Sequence, residues 1–145
     1  MTTHFSEADV EHSDYAVAHS IVNVVPKELF PKMERLEAEL ENVRAFLSDH
    51  YKDDVKMFTS SIYRCPALNK AVGGQPTSQH MILEACDFTT SHGTPEQVWN
   101  HIKESDLPYD QLILEHDKSG YTWVHYSVSH EGKAARHMAF KLEKK

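Results

Sequence analysis

Three side chains that favour zinc, His80, Asp87 and His125, lie on separate segments of this sequence. Imidazole nitrogen and carboxylate oxygen suit Zn²⁺, and three protein ligands leave a fourth position for a water nucleophile. His80 and Asp87 differ by an odd number of positions, so a regular strand would point them to opposite faces. If the three side chains share one ion, the chain must therefore turn between His80 and Asp87. The chain has 11 histidines, so pairs of histidines with this spacing are common by chance. Whether these three residues form a metal site must therefore be judged from the residues around them.

The composition is that of one globular domain spanning residues 1–145, with 40% hydrophobic and 26% charged residues. No apolar run reaches about 18 residues, so we expect no transmembrane segment or membrane insertion. The acidic N-terminus Met1–Asp9 lacks the apolar core of a signal peptide, and we expect synthesis in the cytoplasm. The formal charge of −7 argues against a nucleic-acid partner. Two cysteines are too few for a disulfide framework, and Cys86 is interpreted as a small buried side chain that faces away from Asp87.

The order of periodic segments predicts the fold. Residues 1–25 lack periodicity and are expected to wrap over the surface as an extended segment, whereas residues 26–48 predict an amphipathic helix. The range 55–142 is expected to hold the sheet and the metal site. Strands are predicted at 55–60, 84–88, 111–116, 121–128 and 135–142, helices at 66–72 and 94–105, and a hairpin turn at 117–120. This pattern predicts an α+β fold: a single domain with an antiparallel sheet flanked by helices.

Several motifs occur in the order found in a known family. They are Tyr63-Arg64-Cys-Pro, Asn69, the pair Gly73-Gly74, Ser78-Gln-His80 through Ala85-Cys-Asp87, Asp110 through Glu115, and Trp123-Val-His125-Tyr-Ser127. Together they resemble the zinc D-Ala-D-Ala carboxypeptidase family of peptidoglycan metallopeptidases. His4-Phe5-Ser6 and Asn23 are similar to the family's N-terminal region, so the likeness covers most of the chain. The resemblance implies a hedgehog/DD-peptidase-like fold.

The resemblance also implies roles for individual residues. His80, Asp87 and His125 would hold one Zn²⁺ ion, and Ser78 would hydrogen-bond the substrate beside it, or its hydroxyl caps a turn. Arg64 would grip a substrate carboxylate or stabilise the developing oxyanion, which its planar charged fork suits. Trp123 shares its strand face with His125 and would line the substrate cleft or anchor the core.

Two residues depart from the family pattern. Leu83 stands where the family has glycine, so either Leu83 adopts a backbone conformation that favours glycine, or the family glycine serves packing. Thr122 stands where many relatives carry a glutamate that serves as general base. The best substitute is Glu115, because a hairpin that pairs Glu115 near Trp123 would project its carboxylate on the face of His125. His116 is the second choice.

These observations predict a zinc-dependent hydrolase that cuts an amide bond in the stem peptide of peptidoglycan. The resemblance implies a D-Ala-D-Ala carboxypeptidase or an L-Ala-D-Glu endopeptidase, similar to phage endolysins that act in cell-wall lysis or remodelling after delivery by a holin or a virion. One alternative is a catalytically silent metal-binding module of a virion or another structure on the same fold, because fold does not fix function. Another alternative is a helical adaptor protein that holds no metal and binds a partner through the apolar face of the helix predicted at 26–48. The bond that is cut and the oligomeric state are left open.

Overall fold

A computed structural model describes residues 4–143, which form a five-stranded sheet with helices packed mainly on one side. The strands are β1 (Met57–Ser61), β2 (Ala85–Thr90), β3 (Gln111–His116), β4 (Thr122–Ser127) and β5 (Met138–Glu143), in the spatial order β1-β2-β4-β3-β5. The helices are α1 (Glu7–Glu11), α2 (Asp14–Ala18), α3 (Phe30–Tyr51), α4 (Pro66–Ala71) and α5 (Pro95–Lys103), with 3₁₀ turns at Lys27–Leu29 and Gln79–Ile82. The predicted α+β class is confirmed.

The long helix α3 forms where the sequence shows its apolar stripe. Its buried side chains include Met33, Leu36, Leu40, Val43 and Leu47, at the spacing that places them on one face. The helix continues three residues beyond the predicted end and stops at Lys52, whose φ of 56° is left-handed. No helix in the described part of the chain is long and apolar enough to cross a membrane.

The second substantial helix, α5, begins at the predicted capping box. The Thr94 side chain accepts a hydrogen bond from the Gln97 backbone N–H, and the Gln97 side chain accepts one from the Thr94 N–H. Val98, Trp99 and Ile102 are buried against the sheet, and the Trp99 indole N–H donates to the Leu112 carbonyl at 3.1 Å.

The two faces of the sheet have different partners. One face carries apolar side chains that pack with α3 and α5 in a continuous core; these are Cys86, Phe88, Leu112, Leu114, Val124 and Tyr126. Because neighbouring residues of a strand alternate between faces, Asp87, Ile113, Glu115, Trp123 and His125 lie on the other face. The residues of interest for function are therefore concentrated on one side of the sheet.

Two expectations for the sheet and N-terminus need correction. The segment 1–25 is not extended throughout, since α1 and α2 interrupt it, each capped by a serine side chain (Ser6 and Ser13). Helices of five residues are too short to show periodicity, so only their caps could have revealed them. Residues 1–3 lie outside the described residues. The last strand, β5, runs parallel to β3, so the sheet is antiparallel in its other three pairings only.

Candidate metal centre

The predicted ligands His80, Asp87 and His125 come together in the fold. One ligand atom from each lies within 4.8 Å of the other two, and all three side chains are largely buried. Asp87 on β2 pairs directly with His125 on β4, and its Oδ1 lies 2.9 Å from His125 Nδ1 and 3.4 Å from His80 Nε2. Two strands therefore fix two ligands, and the 3₁₀ turn before β2 supplies the third.

A left-handed residue makes the turn that the spacing required. Leu83 ends the 3₁₀ turn Gln79–Ile82 with φ 57° and ψ 46°, after which β2 begins at Ala85. Leu83 therefore takes the conformation that a glycine would adopt more easily, at a cost of about 1–2 kcal/mol. Its side chain is fully buried in the core, and that burial offsets the strain.

The ring of His80 is held in one orientation. Its Nδ1 lies 2.9 Å from the Ile62 carbonyl oxygen, and because a carbonyl only accepts, Nδ1 carries the proton. Nε2 then presents its lone pair toward Asp87, which is the arrangement of a metal-ligating histidine with an outer hydrogen bond. A neutral nitrogen lone pair beside a carboxylate oxygen is favourable only with a cation or proton between them.

Burial and charge act in different directions on these groups. Burial lowers the pKa of His80 and keeps the imidazole neutral, although the neighbouring Asp87 partly opposes this effect. Burial raises the pKa of Asp87, but the interactions of its carboxylate with the His80 and His125 rings outweigh this effect and hold the pKa far below its ordinary value. Neutral imidazole and ionised carboxylate are the forms that bind a metal, so the residues present fit Zn²⁺.

Glu115 lies beside this group because of the β3–β4 register. Glu115 pairs with Trp123, as predicted, and its Oε1 lies 3.5 Å from His125 Nδ1. The side chain is almost fully buried. His116, the second candidate for a base, is exposed and is not among the residues that line the cleft over the ligands. Cys86 is buried in the core behind Asp87, and burial raises the pKa of its thiol well above the ordinary value.

Arg64 reaches the same region from the segment after β1. Its backbone N–H donates to the His80 carbonyl at 3.2 Å, and its Nη2 lies 3.3 Å from the Ser78 hydroxyl oxygen. Burial lowers the pKa of Arg64, and the charges of Asp87 and Glu115 oppose that shift. The Ser78 oxygen also accepts from the His80 backbone N–H, so Ser78 caps the turn that carries the ligand.

Two further residues, Asn69 and Gly74, lie close to Arg64, although the sequence pattern assigned them no role. The Asn69 side chain is buried and donates to the Gln75 carbonyl at 2.9 Å, while its Oδ1 has no hydrogen-bond partner among the described residues. A side chain on Gly74 would place its Cβ 2.1 Å from Asn69 Oδ1 and 3.0 Å from Arg64 Nη1. Asn69 and the second glycine of the Gly73-Gly74 pair are visible in the motif, but their position close to Arg64 depends on the tertiary fold.

A cleft of about 740 Å³ opens over the ligands. Its walls include the three ligands together with Arg64, Ser78, Glu115, Trp123 and Arg136, and the segment Ser13–Tyr15 forms part of its rim. The indole nitrogen of Trp123 is buried and has no hydrogen-bond partner in the described part of the chain, although its ring faces the cleft. Trp123 therefore lines the cleft, and its contact with substrate stays a prediction. The N-terminal segment contributes to the cleft without any signal in its sequence.

An α+β domain with a His–Asp–His group beneath an open cleft, and with a carboxylate and a guanidinium beside it, has the layout of a metallohydrolase. Residues 3–127 match the model of a protein family described as Peptidase M15. The chain belongs to this family, which comprises the zinc D-Ala-D-Ala carboxypeptidases and related peptidoglycan metallopeptidases. A search of curated proteins found no match.

Proposed function

We propose that this protein is a zinc peptidase that hydrolyses an amide bond in the stem peptide of peptidoglycan. Family membership supports metallopeptidase activity on peptidoglycan-type substrates in general. The observation that carries the specific proposal is the convergence of His80, Asp87 and His125 within 4.8 Å beneath the cleft. When bound there, Zn²⁺ would lower the pKa of a water ligand toward about 7 and polarise the scissile carbonyl.

Glu115 is the proposed general base. Its carboxylate accepts one proton from the attacking water, and after the C–O bond has formed it returns this proton to the amide nitrogen. The C–N bond then breaks and the amine leaves with the proton. This role is supported by the 3.5 Å separation between Glu115 Oε1 and His125 Nδ1, which brings the carboxylate beside one of the proposed metal ligands.

Arg64 and Ser78 are the proposed substrate-binding groups. The guanidinium stabilises negative charge on the carbonyl oxygen as the tetrahedral intermediate forms, or holds a carboxylate of the stem peptide. The Ser78 hydroxyl lies within reach of both Arg64 and the turn of His80, so it orients the substrate next to the metal. The Trp123 ring supplies an apolar wall.

The bond that we propose is D-Ala-D-Ala or L-Ala-D-Glu, cut during cell-wall lysis or remodelling in the manner of a phage endolysin. The enzyme would reach the wall through a holin or as part of a virion. These proposals are supported by the resemblance of the motifs to peptidoglycan peptidases.

The test is hydrolysis of purified muropeptides, analysed by mass spectrometry. Zinc-loaded protein is expected to remove the terminal D-Ala or to split the stem, and excess chelator should abolish the reaction. Glu115→Gln is the matched variant, since it keeps the shape and one acceptor oxygen of the side chain but cannot take the proton. Stoichiometric zinc without any cleavage would instead support the silent metal-binding module, the alternative that Thr122 in place of the family glutamate favours.

A further inference from the structure

Apolar side chains on the strands β1 and β5 and at the start of β4 form a band on the metal-bearing face of the sheet, with Thr89 of β2 and the buried Glu115 of β3 between them. The band consists of Phe58, Tyr121, Trp123, Met138, Phe140 and Leu142. Phe58 and Tyr121 are each 54% exposed, and Met138 and Leu142 are 40% and 44% exposed. Large side chains exposed next to one another on a soluble domain commonly mark a binding surface.

The strand register shows that these residues share one face with the site. Phe58 pairs with Thr89, which lies two residues after the ligand Asp87 on β2 and therefore on the same side. On the other side of the site, Leu142 pairs with Glu115, and Glu115 pairs with Trp123. The Tyr121 ring stacks on the Trp123 ring, with 5.9 Å between the ring centroids.

The band is continuous with the substrate cleft. Trp123 and Leu142 line the cleft itself, whereas Phe58 and Tyr121 are not among its lining residues. From β1 to β5 the sheet has four inter-strand steps of about 4.8 Å, so the band spans roughly 19 Å. A molecule that occupies the cleft and is longer than a few residues would therefore meet the band.

We propose that the apolar band binds the glycan strand to which the stem peptide is attached, so that the substrate is polymeric peptidoglycan. This inference rests on the proposed function. Sugar rings carry apolar C–H faces that stack on aromatic side chains, and Phe58, Tyr121 and Trp123 present three such rings. The glycan backbone is also the part of peptidoglycan without ionised carboxylates once its lactyl groups are amide-linked. The exposed side chains of the band are uncharged, and Glu115, which lies between Trp123 and Leu142, is almost fully buried. On a protein of formal charge −7, such a surface suits this part better than the carboxylate-bearing peptide.

The test measures binding of the full-length, zinc-loaded chain carrying Glu115→Gln, so that the ligand is not consumed. The probes are intact sacculi and glycan strands that an amidase has stripped of stem peptides and whose freed lactyl carboxylates are then converted to amides, so that the stripped glycan is uncharged there, as it is in the polymer. We expect binding to both. Phe58→Ser and Tyr121→Ser, each in the same background, should weaken binding to stripped glycan by about fivefold or more. Val24→Ser is the matched control, because Val24 is 56% exposed and lies outside the band. It should bind as the parent does.

Stripped glycan that does not bind, or binding that both serine variants leave unchanged in folded protein, would overturn the proposal. A dimer that the serine variants convert to monomer, with unchanged glycan binding, would also overturn it and make the band an interface between copies of the chain. Circular dichroism and thermal melting verify that each variant folds.

Hydrolysis of free stem peptide by the wild-type chain separates this inference from the proposed function. Cleavage of free peptide without glycan binding would refute the proposed glycan binding by the band but leave the proposed peptidase activity standing. Glycan binding without any cleavage would refute the proposed peptidase activity and support glycan binding by the band.

Discussion

Arg64 is the residue on which the proposed chemistry depends most apart from the ligands and the base. Arg64→Ala is expected to leave zinc bound, because Arg64 is not a ligand, and to lower turnover of the stem peptide by about 10²-fold or more, as loss of an oxyanion donor does. The measurements are kcat/KM and the zinc content of the purified variant. Arg64→Lys keeps the positive charge but lacks the planar guanidinium. Its turnover of the stem peptide should lie between that of the wild-type chain and that of Arg64→Ala. Full activity of Arg64→Ala would remove the residue from the mechanism.

The contact of Gly74 with Asn69 and Arg64 gives a second prediction. Gly74→Ala would place its Cβ 2.1 Å from Asn69 Oδ1, so Asn69 and Arg64 would have to move. We expect retained zinc and a loss of turnover on the order of 10- to 10²-fold, since misplacement of a positioning group by about 1 Å can cost 10²-fold.

The matched control for this prediction is Gly73→Ala. Gly73 has φ 74°, and no atom of the described residues lies within 4 Å of the position that a Cβ would take there, so the substitution strains the backbone without a clash. It should lower the free energy of unfolding by roughly 1 kcal/mol and change turnover less than Gly74→Ala does. Equal turnover for the two variants would mean that Gly74 does not position Arg64.

The residues of the candidate site can be named from the sequence to the extent that they belong to motifs. His80, Asp87, His125, Arg64 and Ser78 all lie in such patterns. The conformation of the turn before β2 cannot be predicted from a motif. Leu83 has no intrinsic preference for a left-handed φ and takes it only when the surrounding core buries its side chain. The position of Asn69 and Gly74 close to Arg64 is not predictable for a similar reason, since it arises from the tertiary fold.

At the scale of whole elements, sequence patterns predict those helices and strand pairs whose formation depends on residues close to one another in the chain. The stripe of α3, the capping box of α5 and the β3–β4 hairpin are visible because each depends on residues close in sequence. The turn 117–120 sets the hairpin register and with it the position of Glu115. The pairing of β5 with β3 is parallel and joins distant segments, so the alternation of β5 indicates a strand but not its partner.

The loop between β4 and β5 is tied to the sheet by an ion pair whose pH dependence can be tested. Arg136 donates to both carboxylate oxygens of Asp110 at 3.0 and 2.7 Å, and the Gln79 side chain lies 3.3 Å from Oδ2. The hydrogen bond from Arg136 holds the pKa of Asp110 below its ordinary value, against the opposing effect of burial. The folded state therefore binds fewer protons than the unfolded state near this pKa.

Asp110 thus contributes stability that is present above its unfolded pKa of about 3.9 and is lost as the pH falls through the lower folded value. Asp110→Asn should lower the free energy of unfolding at pH 7, and its deficit relative to wild type should shrink below about pH 4. Urea unfolding at several pH values measures this difference. Glu131→Gln, an exposed carboxylate of the same loop, should stay within about 0.5 kcal/mol of wild type. A deficit that is the same at pH 7 and pH 3 would contradict the role of the ion pair.

At the scale of the molecule, the sheet separates two tasks. Its inner face, packed against α3 and α5, supplies the continuous apolar core, while its outer face carries ionisable groups that burial would otherwise make costly. Asp87 and Glu115 lie on this outer face and His80 lies on the turn beside it; His80 and Glu115 are buried and Asp87 is nearly so. The stability of these groups depends on mutual contacts that a cation would strengthen. Metal binding and folding are therefore expected to be coupled.

This coupling predicts how zinc changes the stability of the whole chain. A ligand that binds only the native state at 100 times its Kd adds about 2.7 kcal/mol to the free energy of unfolding. For a chain of this length that corresponds to a rise in Tm on the order of 5–10 °C, measurable by calorimetry with and without chelator.

Removal of His80, Asp87 or His125 by alanine substitution should abolish both zinc retention and the rise in Tm. Asp87→Asn is the conservative control, since it keeps the size of the side chain but loses the charge that attracts the ion. A Tm that zinc leaves unchanged in the wild-type chain, or raises equally in Asp87→Asn, would place the metal elsewhere or exclude it from the native structure.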